Sequence, residues 1–280
     1  MRRIEQYYNM SDNKVKKEVS AFRTKYITNN VRANVACLTL SENQQPFVKL
    51  IDMLMQSKDF DRPDGYYFDQ ETSTLYIFEH FAFDCSPTNR NGSSLRRNTT
   101  QVNQEIEKEI ESAVADYDSV KVIDQGYSVK NGNKITYIMG ANGDKYRDNY
   151  IASFKKFYED HNGKVSEYIE NCKNEIGVTP NKVIISFLVE DVTVFGTHYK
   201  RNGNIGDPVI LLSTKQFLEI FKNSKVDYVF FGSLNDRYLV ICDRSILNDD
   251  SSKYVDLLSE EFYIIPAAPL FTAAKKINKM

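Results

Sequence analysis

The sequence predicts an α/β fold with a mixed central sheet flanked by helices. Three observations predict it. Thr74–Phe83 is a run of β-formers that is apolar on both faces, as a strand inside a covered sheet should be. Lys182–Val189 has the same character. Between them lie stretches whose apolar residues recur at helical spacing, and such alternation builds helices onto a sheet. The 280 residues carry 41% hydrophobic and 26% charged side chains, ordinary for a folded domain. No internal repeat and no linker stands out. Residues 1–280 therefore read as a single domain, with the chain from about 195 to 280 as a peripheral extension.

The elements follow in order. Residues 11–26 read as a helix with Val15, Val19, Phe22 and Tyr26 on one face. Residues 34–40 read as a short strand or buried segment. Pro46 suits the first turn of a helix to about Gln56, with Phe47, Leu50, Ile51 and Leu54 facing inward. Gly65–Phe68 and Thr74–Phe83 are the arms of a β-hairpin around the polar turn 69–73. Residues 86–100 read as a loop, and the stripe Val102, Ile106, Ile110 and Val114 as a helix. Residues 120–138 read as two strands turned at Asn131-Gly132. A helical stretch over 145–175 breaks near Asn162-Gly163. Beyond 182–189, short strands are expected at 209–212, 226–231 and 237–242, with a helix at 214–222.

Composition excludes little. The net charge of −2 announces no polyanion partner. Cys37, Cys85, Cys172 and Cys242 are scattered without a paired spacing, which reads as buried thiols in a reducing compartment. No leader and no membrane-length apolar run is seen, so a cytoplasmic protein is expected. Asn91 and Asn98 match the glycosylation pattern by chance.

The hairpin carries the chemistry. Asp64 stands at the start of the first arm and Glu79 late in the second, so the pairing of the arms lets the two carboxylates converge. Close carboxylates repel and need a cation. Mg²⁺ suits them, because it takes oxygen ligands and keeps several waters. Bland roles also fit: Pro63-Asp64 suits a turn, and Glu79 could pair with any Lys or Arg.

Pro63-Asp64, a hairpin, and then Glu79 inside Tyr-Ile-Phe-Glu-His-Phe together resemble the PD-(D/E)xK, or restriction-endonuclease-like, nuclease superfamily. The resemblance covers about residues 40–190, with an insertion at 86–140. It implies a restriction-endonuclease-like core and metal-dependent hydrolysis of DNA phosphodiester bonds, in restriction, repair or antiviral defence. It implies Asp64 and Glu79 as catalytic ligands of Mg²⁺ or Mn²⁺, with Glu42 as a further ligand. The family's lysine, two positions after the acid, is here Phe81. An apolar ring cannot polarise a water, so Arg62, Arg90, Arg96, Arg97, Lys155 and Lys156 are the candidate substitutes. The alternative is a catalytically inactive nuclease-fold subunit that binds nucleic acid or a protein partner; a homo-oligomer is also open. An unrelated interaction module, with structural hairpin carboxylates, is the third reading.

Two basic loops suit a phosphate backbone: residues 90–97 with Arg90, Arg96 and Arg97, and Gly196–Gly203 with Lys200 and Arg201. His80 points away from Glu79 and reads as a core histidine. His161 falls late in a helix and His198 in a polar loop. Asp84 reads as a strand-ending turn residue, and Glu190-Asp191 closes a buried strand.

Overall fold

A computed structural model describes residues 17–28, 35–39, 41, 43–83, 119–123, 126–131, 134–139, 143–193, 195–201, 204–208, 210–233, 239–247 and 262–266. Among these, the chain begins with α1 (Glu18–Arg23), which runs on as a π-helical turn over Thr24–Thr28. Strand β1 (Val35–Leu38) and helix α2 (Gln45–Gln56) follow, the latter with Pro46 in its first turn. A meander comes next: β2 (Lys58–Asp59), β3 (Gly65–Asp69) and β4 (Thr74–Phe83). Strands β5 (Ser119–Ile123), β6 (Gly126–Asn131) and β7 (Lys134–Met139) lead to helices α3 (Gly143–Gly163) and α4 (Val165–Ile176). Then come β8 (Lys182–Asp191), β9 (Phe195–Arg201), β10 (Asn204–Pro208) and α5 (Lys215–Lys222). Strands β11 (Tyr228–Ser233), β12 (Leu239–Asp243) and β13 (Phe262–Pro266) complete the described elements.

The main sheet has seven strands in the order β1-β12-β11-β8-β4-β3-β2. Its β2-β3-β4 meander is antiparallel, and β4 then lies parallel to β8, which lies parallel to β11. The mixed α/β class is therefore the observed one. Strand parity divides its core. Leu75, Ile77, Phe81 and Phe83 pack with Tyr150, Phe154 and Tyr158 of α3, and with Val165, Tyr168 and Cys172 of α4. Tyr76 and Phe78 pack on the other face with Val19, Phe22 and Tyr26 and with Phe47, Leu50 and Leu54 of α2. Both faces of β4 are covered, which explains its unbroken apolar run.

Several expectations change. The part of the chain expected as a peripheral extension from 195 supplies β11 and β12, which lie between β8 and β1 in the main sheet. Their pairing partners are far away in sequence, so no local pattern announces the arrangement. The expected strand at 209–212 is a 3-10 turn over Leu211–Ser213. Both its leucines are buried, and the Ile210 and Leu211 carbonyls take the Ser213 and Thr214 N–H groups. The segment 120–138 makes three strands rather than two, because the chain reverses again between Ile123 and Gly126. The basic loop expected at 196–203 is largely strand β9, paired on one side with β10 and on the other with β13. The loop and helix expected over 86–114 lie outside the described residues.

Two arginines close helix ends. Arg23 Nη1 donates to the Leu54, Met55 and Ser57 carbonyls at 3.2, 2.9 and 2.9 Å, satisfying the C-terminus of α2. Arg244 reaches the end of α5 at the Phe221 and Lys222 carbonyls, at 3.5 and 3.4 Å, and binds the turn beyond it through the Ser224 and Val226 carbonyls, each at 2.9 Å. The first contact ties α1 to the helix that precedes the hairpin.

Candidate active site

The hairpin register sets the site. Gly65 pairs with Phe78, so Asp64 enters the sheet opposite Glu79. Two reciprocal bonds follow. The Asp64 N–H donates to Glu79 Oε2 at 3.1 Å, and the His80 N–H donates to Asp64 Oδ2 at 2.8 Å. The Asp64 carbonyl also takes the Phe60 N–H at 2.8 Å, closing the turn that leads into β3. Helix α4 holds that turn from outside: Asn171 Nδ2 donates to the Arg62 carbonyl at 2.9 Å.

Glu79 is only 5% exposed, in the middle of an apolar strand. A buried carboxylate needs donors. It has three among the described residues. Tyr168 Oη donates to Oε1 at 2.7 Å, His161 Nδ1 lies 2.6 Å from the same oxygen, and the Asp64 N–H serves Oε2. An ionised carboxylate only accepts, so the proton in the His161 contact sits on Nδ1. Oε1 thus carries two donors and Oε2 one, which leaves acceptor capacity on the Asp64 side. The Tyr168 phenol is pushed well up by burial, then by the Glu79 charge and its hydrogen bond, with a further contribution from Asp64. Both carboxylates therefore act on one hydroxyl.

Phe81, two positions after Glu79, turns inward. It is 4% exposed, stacks on the His161 ring at 5.1 Å and 13°, and meets Phe187 and Tyr158 edge-on. Of the expected substitutes, Arg62 reaches toward Glu167 at 3.6 Å, and both side chains are exposed. Lys155 pairs with Glu159 on the outside of α3, and Lys156 is exposed beside it. Neither lysine nor Arg62 donates to Glu79. Arg90, Arg96 and Arg97 lie outside the described residues, as do Glu42 and Asp84. Lys200 and Arg201 stand on β9, in a sheet separate from the one that carries Glu79.

The other face of β4 holds a second polar group. His80 is not enclosed in apolar core. Its Nδ1 lies 3.4 Å from Glu18 Oε2 and its Nε2 3.3 Å from Glu190 Oε2. Glu190 also accepts from Tyr26 Oη at 3.0 Å and pairs closely with Lys25, whose ammonium burial pushes toward neutrality. Asp191, next on β8, faces α3 and takes the Tyr150 hydroxyl at 2.7 Å. A depression of about 450 Å³ lies at the turn end of the hairpin, lined by Lys49, Met53 and residues 67–71. It includes neither Asp64 nor Glu79.

The sequence did not point to His161 or Tyr168 as partners of Glu79. They stand 82 and 89 residues from it, on the last turn of α3 and on α4. The usable signal was the unpaired acid in an apolar strand, which demands donors without naming them. The donor chemistry fits a hard cation held by two carboxylates and water. Among the described residues, no group of three or more His, Cys, Asp or Glu side chains is placed to hold one. Comparison of the chain with protein-family models, with curated proteins and with solved structures gives no match.

Proposed function

We infer that the protein is a Mg²⁺- or Mn²⁺-dependent nuclease of restriction-endonuclease-like core, acting on the phosphodiester bonds of DNA. The observation that carries this reading is the reciprocal placement of Asp64 and Glu79 across the mouth of the hairpin. The order of the surrounding elements supports it: a helix, a three-strand antiparallel meander, a helical crossover and a strand parallel to the third. Asp64 and Glu79 would hold the ion, Glu79 through the oxygen that carries one donor. The ion would supply a polarised water and offset charge that builds on the phosphate. The chain's own residues fix the Glu79 carboxylate from behind, through Tyr168 and His161, so that it faces Asp64. The basic strand end at Lys200-Arg201 and the arginines at 90, 96 and 97 are the proposed contacts to the phosphate backbone.

The test is cleavage of plasmid and single-stranded DNA with Mg²⁺ or Mn²⁺. Wild type should cut, and Asp64→Asn and Glu79→Gln should each lose about a hundredfold or more, as when a preorganised electrostatic group is removed. Cleavage that is unchanged in both variants would sink the site. A second reading, a silent nuclease-fold subunit that binds nucleic acid or a protein partner, is favoured by the burial of Phe81 where the lysine would stand. Under that reading, wild type binds DNA in a mobility-shift assay without cutting it.

A further inference from the structure

We propose that Arg62 is the phosphate contact at the rim of the hairpin site, and that Glu167 holds its guanidinium in the free protein until a DNA phosphate takes that place. This rests on the reading of the site as one for DNA.

Three observations carry it. First, the Arg62 backbone lies in the left-handed region, at φ 63°. That region costs a residue with a Cβ more than it costs glycine. Asparagine and aspartate offset the cost with a short polar side chain that bonds locally, and arginine does not. The turn is held in place from two sides: Asn171 Nδ2 donates to the Arg62 carbonyl at 2.9 Å, and the Asp64 carbonyl takes the Phe60 N–H at 2.8 Å. Second, the side chain gives the fold little in return. It is 72% exposed, and its charged contact among the described residues is Nη1 to Glu167 Oε1 at 3.6 Å, with Glu167 itself 49% exposed. An exposed pair this long is weak. A strained backbone that carries a side chain of little structural use points to a use outside the fold. Third, the position suits a substrate contact. Two residues of chain span at most about 7 Å, so the Arg62 backbone lies within that distance of Asp64. It stands on the Asp64 side of Glu79, where Oε2 carries a single donor.

In the turn 60–64, Asp61 and Asp64 are acidic and Arg62 is the one cation. A phosphate that approaches Asp64 and Glu79 is repelled unless a cation meets it. A guanidinium suits this, because its planar fork bonds two phosphate oxygens at once. The Glu167 carboxylate offers the same fork two oxygens and one negative charge. It sits beside Tyr168, which bonds Glu79, so the exchange takes place at the edge of the site. A contact of 3.6 Å is loose enough to be given up for a closer one.

Binding of a labelled DNA duplex to the full chain tests this, followed by fluorescence anisotropy in EDTA so that nothing is cut. Arg62→Gly should weaken binding about tenfold at low salt. It should also lower the slope of log affinity against log salt by about 1. Its melting temperature should not fall, because glycine suits the left-handed position. Arg62→Lys keeps the charge without the fork, so the slope should stay and the affinity should fall less than in Arg62→Gly. Glu167→Gln should tighten binding about threefold in the wild-type background and leave Arg62→Gly unchanged. An unaltered slope in Arg62→Gly would overturn the proposal, as would a Glu167→Gln effect equal in both backgrounds or an Arg62→Gly chain that melts well below wild type. If Mg²⁺-dependent cleavage needs Asp64 while Arg62→Gly binds as wild type does, the nuclease reading stands and this inference fails. Arg62-dependent binding with no cleavage in Mg²⁺ supports this inference and sinks the nuclease reading. A wild-type chain that neither binds nor cuts DNA sinks both.

Discussion

Glu79 and His80 are neighbours in sequence, yet the strand sends them to opposite faces of the sheet, and each meets a glutamate–histidine contact of a different kind. On the Glu79 face, one carboxylate meets one histidine at 2.6 Å, behind aromatic rings, with a phenol completing the oxygen. On the His80 face, one histidine lies between two carboxylates at 3.4 and 3.3 Å, and Lys25 competes for one of them. The first contact fixes which nitrogen carries the hydrogen. The second gives both nitrogens an acid and selects neither. A single short contact to a buried carboxylate specifies a state, whereas a histidine spread between two more distant carboxylates shares charge between them.

The largest expected difference comes from deleting the buried carboxylate. Glu79→Ala leaves the Tyr168 hydroxyl, His161 Nδ1 and the Asp64 N–H without their acceptor beneath a largely buried strand. It should lower unfolding stability by about 3–5 kcal/mol. Urea unfolding measures this. A loss below about 1 kcal/mol would mean that water already serves these donors and that the two faces do not differ as described.

The contrast was only half legible in the sequence. The turn at 69–73 and the two apolar runs give the register, and the register alone sets Asp64 across from Glu79. Parity then sends His80 to the other face. Local chemistry fixes all of this within the hairpin. The partners are a different matter. His161 reaches Glu79 only because α3 and α4 cross back over the sheet, and Glu190 reaches His80 only because β8 pairs with β4. The same limit hid β11 and β12, whose places in the sheet depend on pairing with β8 and β1. Where the sequence did mislead, as at Leu211–Leu212, a short apolar pair served a buried turn as well as it would a strand.

The His80 face can be disturbed alone through Gly232. A methyl added there would stand 2.5, 2.7 and 2.8 Å from atoms of the Tyr26 ring, which is itself buried. Gly232→Ala must displace that ring, and with it the hydroxyl that Glu190 accepts, at a cost of about 1–3 kcal/mol. The His161 tautomer should stay as in wild type, which imidazole ¹⁵N NMR reports. A changed tautomer would show that the faces are coupled through β4.

Tyr26 offers a pH-dependent version of this test. Burial, and then the Asp191 charge, push its phenol well above the ordinary value. The native state keeps the proton that the unfolded chain releases above pH of about 10. The phenol's contribution is therefore complete below that pH and is lost as pH rises, with a limiting slope of about 1.4 kcal/mol per pH unit. Tyr26→Phe should cost about 1 kcal/mol at neutral pH, for the bond to Glu190. It should also flatten the fall in stability above pH of about 10. An equally steep fall in the variant would assign the alkaline loss to other phenols, of which Tyr158 and Tyr168 are also raised by burial.

The smallest effect belongs to Glu18, which sits at the start of α1 with a third of its side chain exposed. Its contact with His80 is long, and Glu190 still serves the other nitrogen when Glu18 is gone. Glu18→Ala should cost no more than about 1 kcal/mol, and added salt should shrink that cost further, because exposed charges are screened over about 10 Å at 0.1 M. Urea midpoints at low and high salt measure both points. A cost near that of Glu79→Ala, insensitive to salt, would place His80 in a specifying pair of its own, and the distinction between a pair that selects a tautomer and a group that shares charge would no longer separate the two faces.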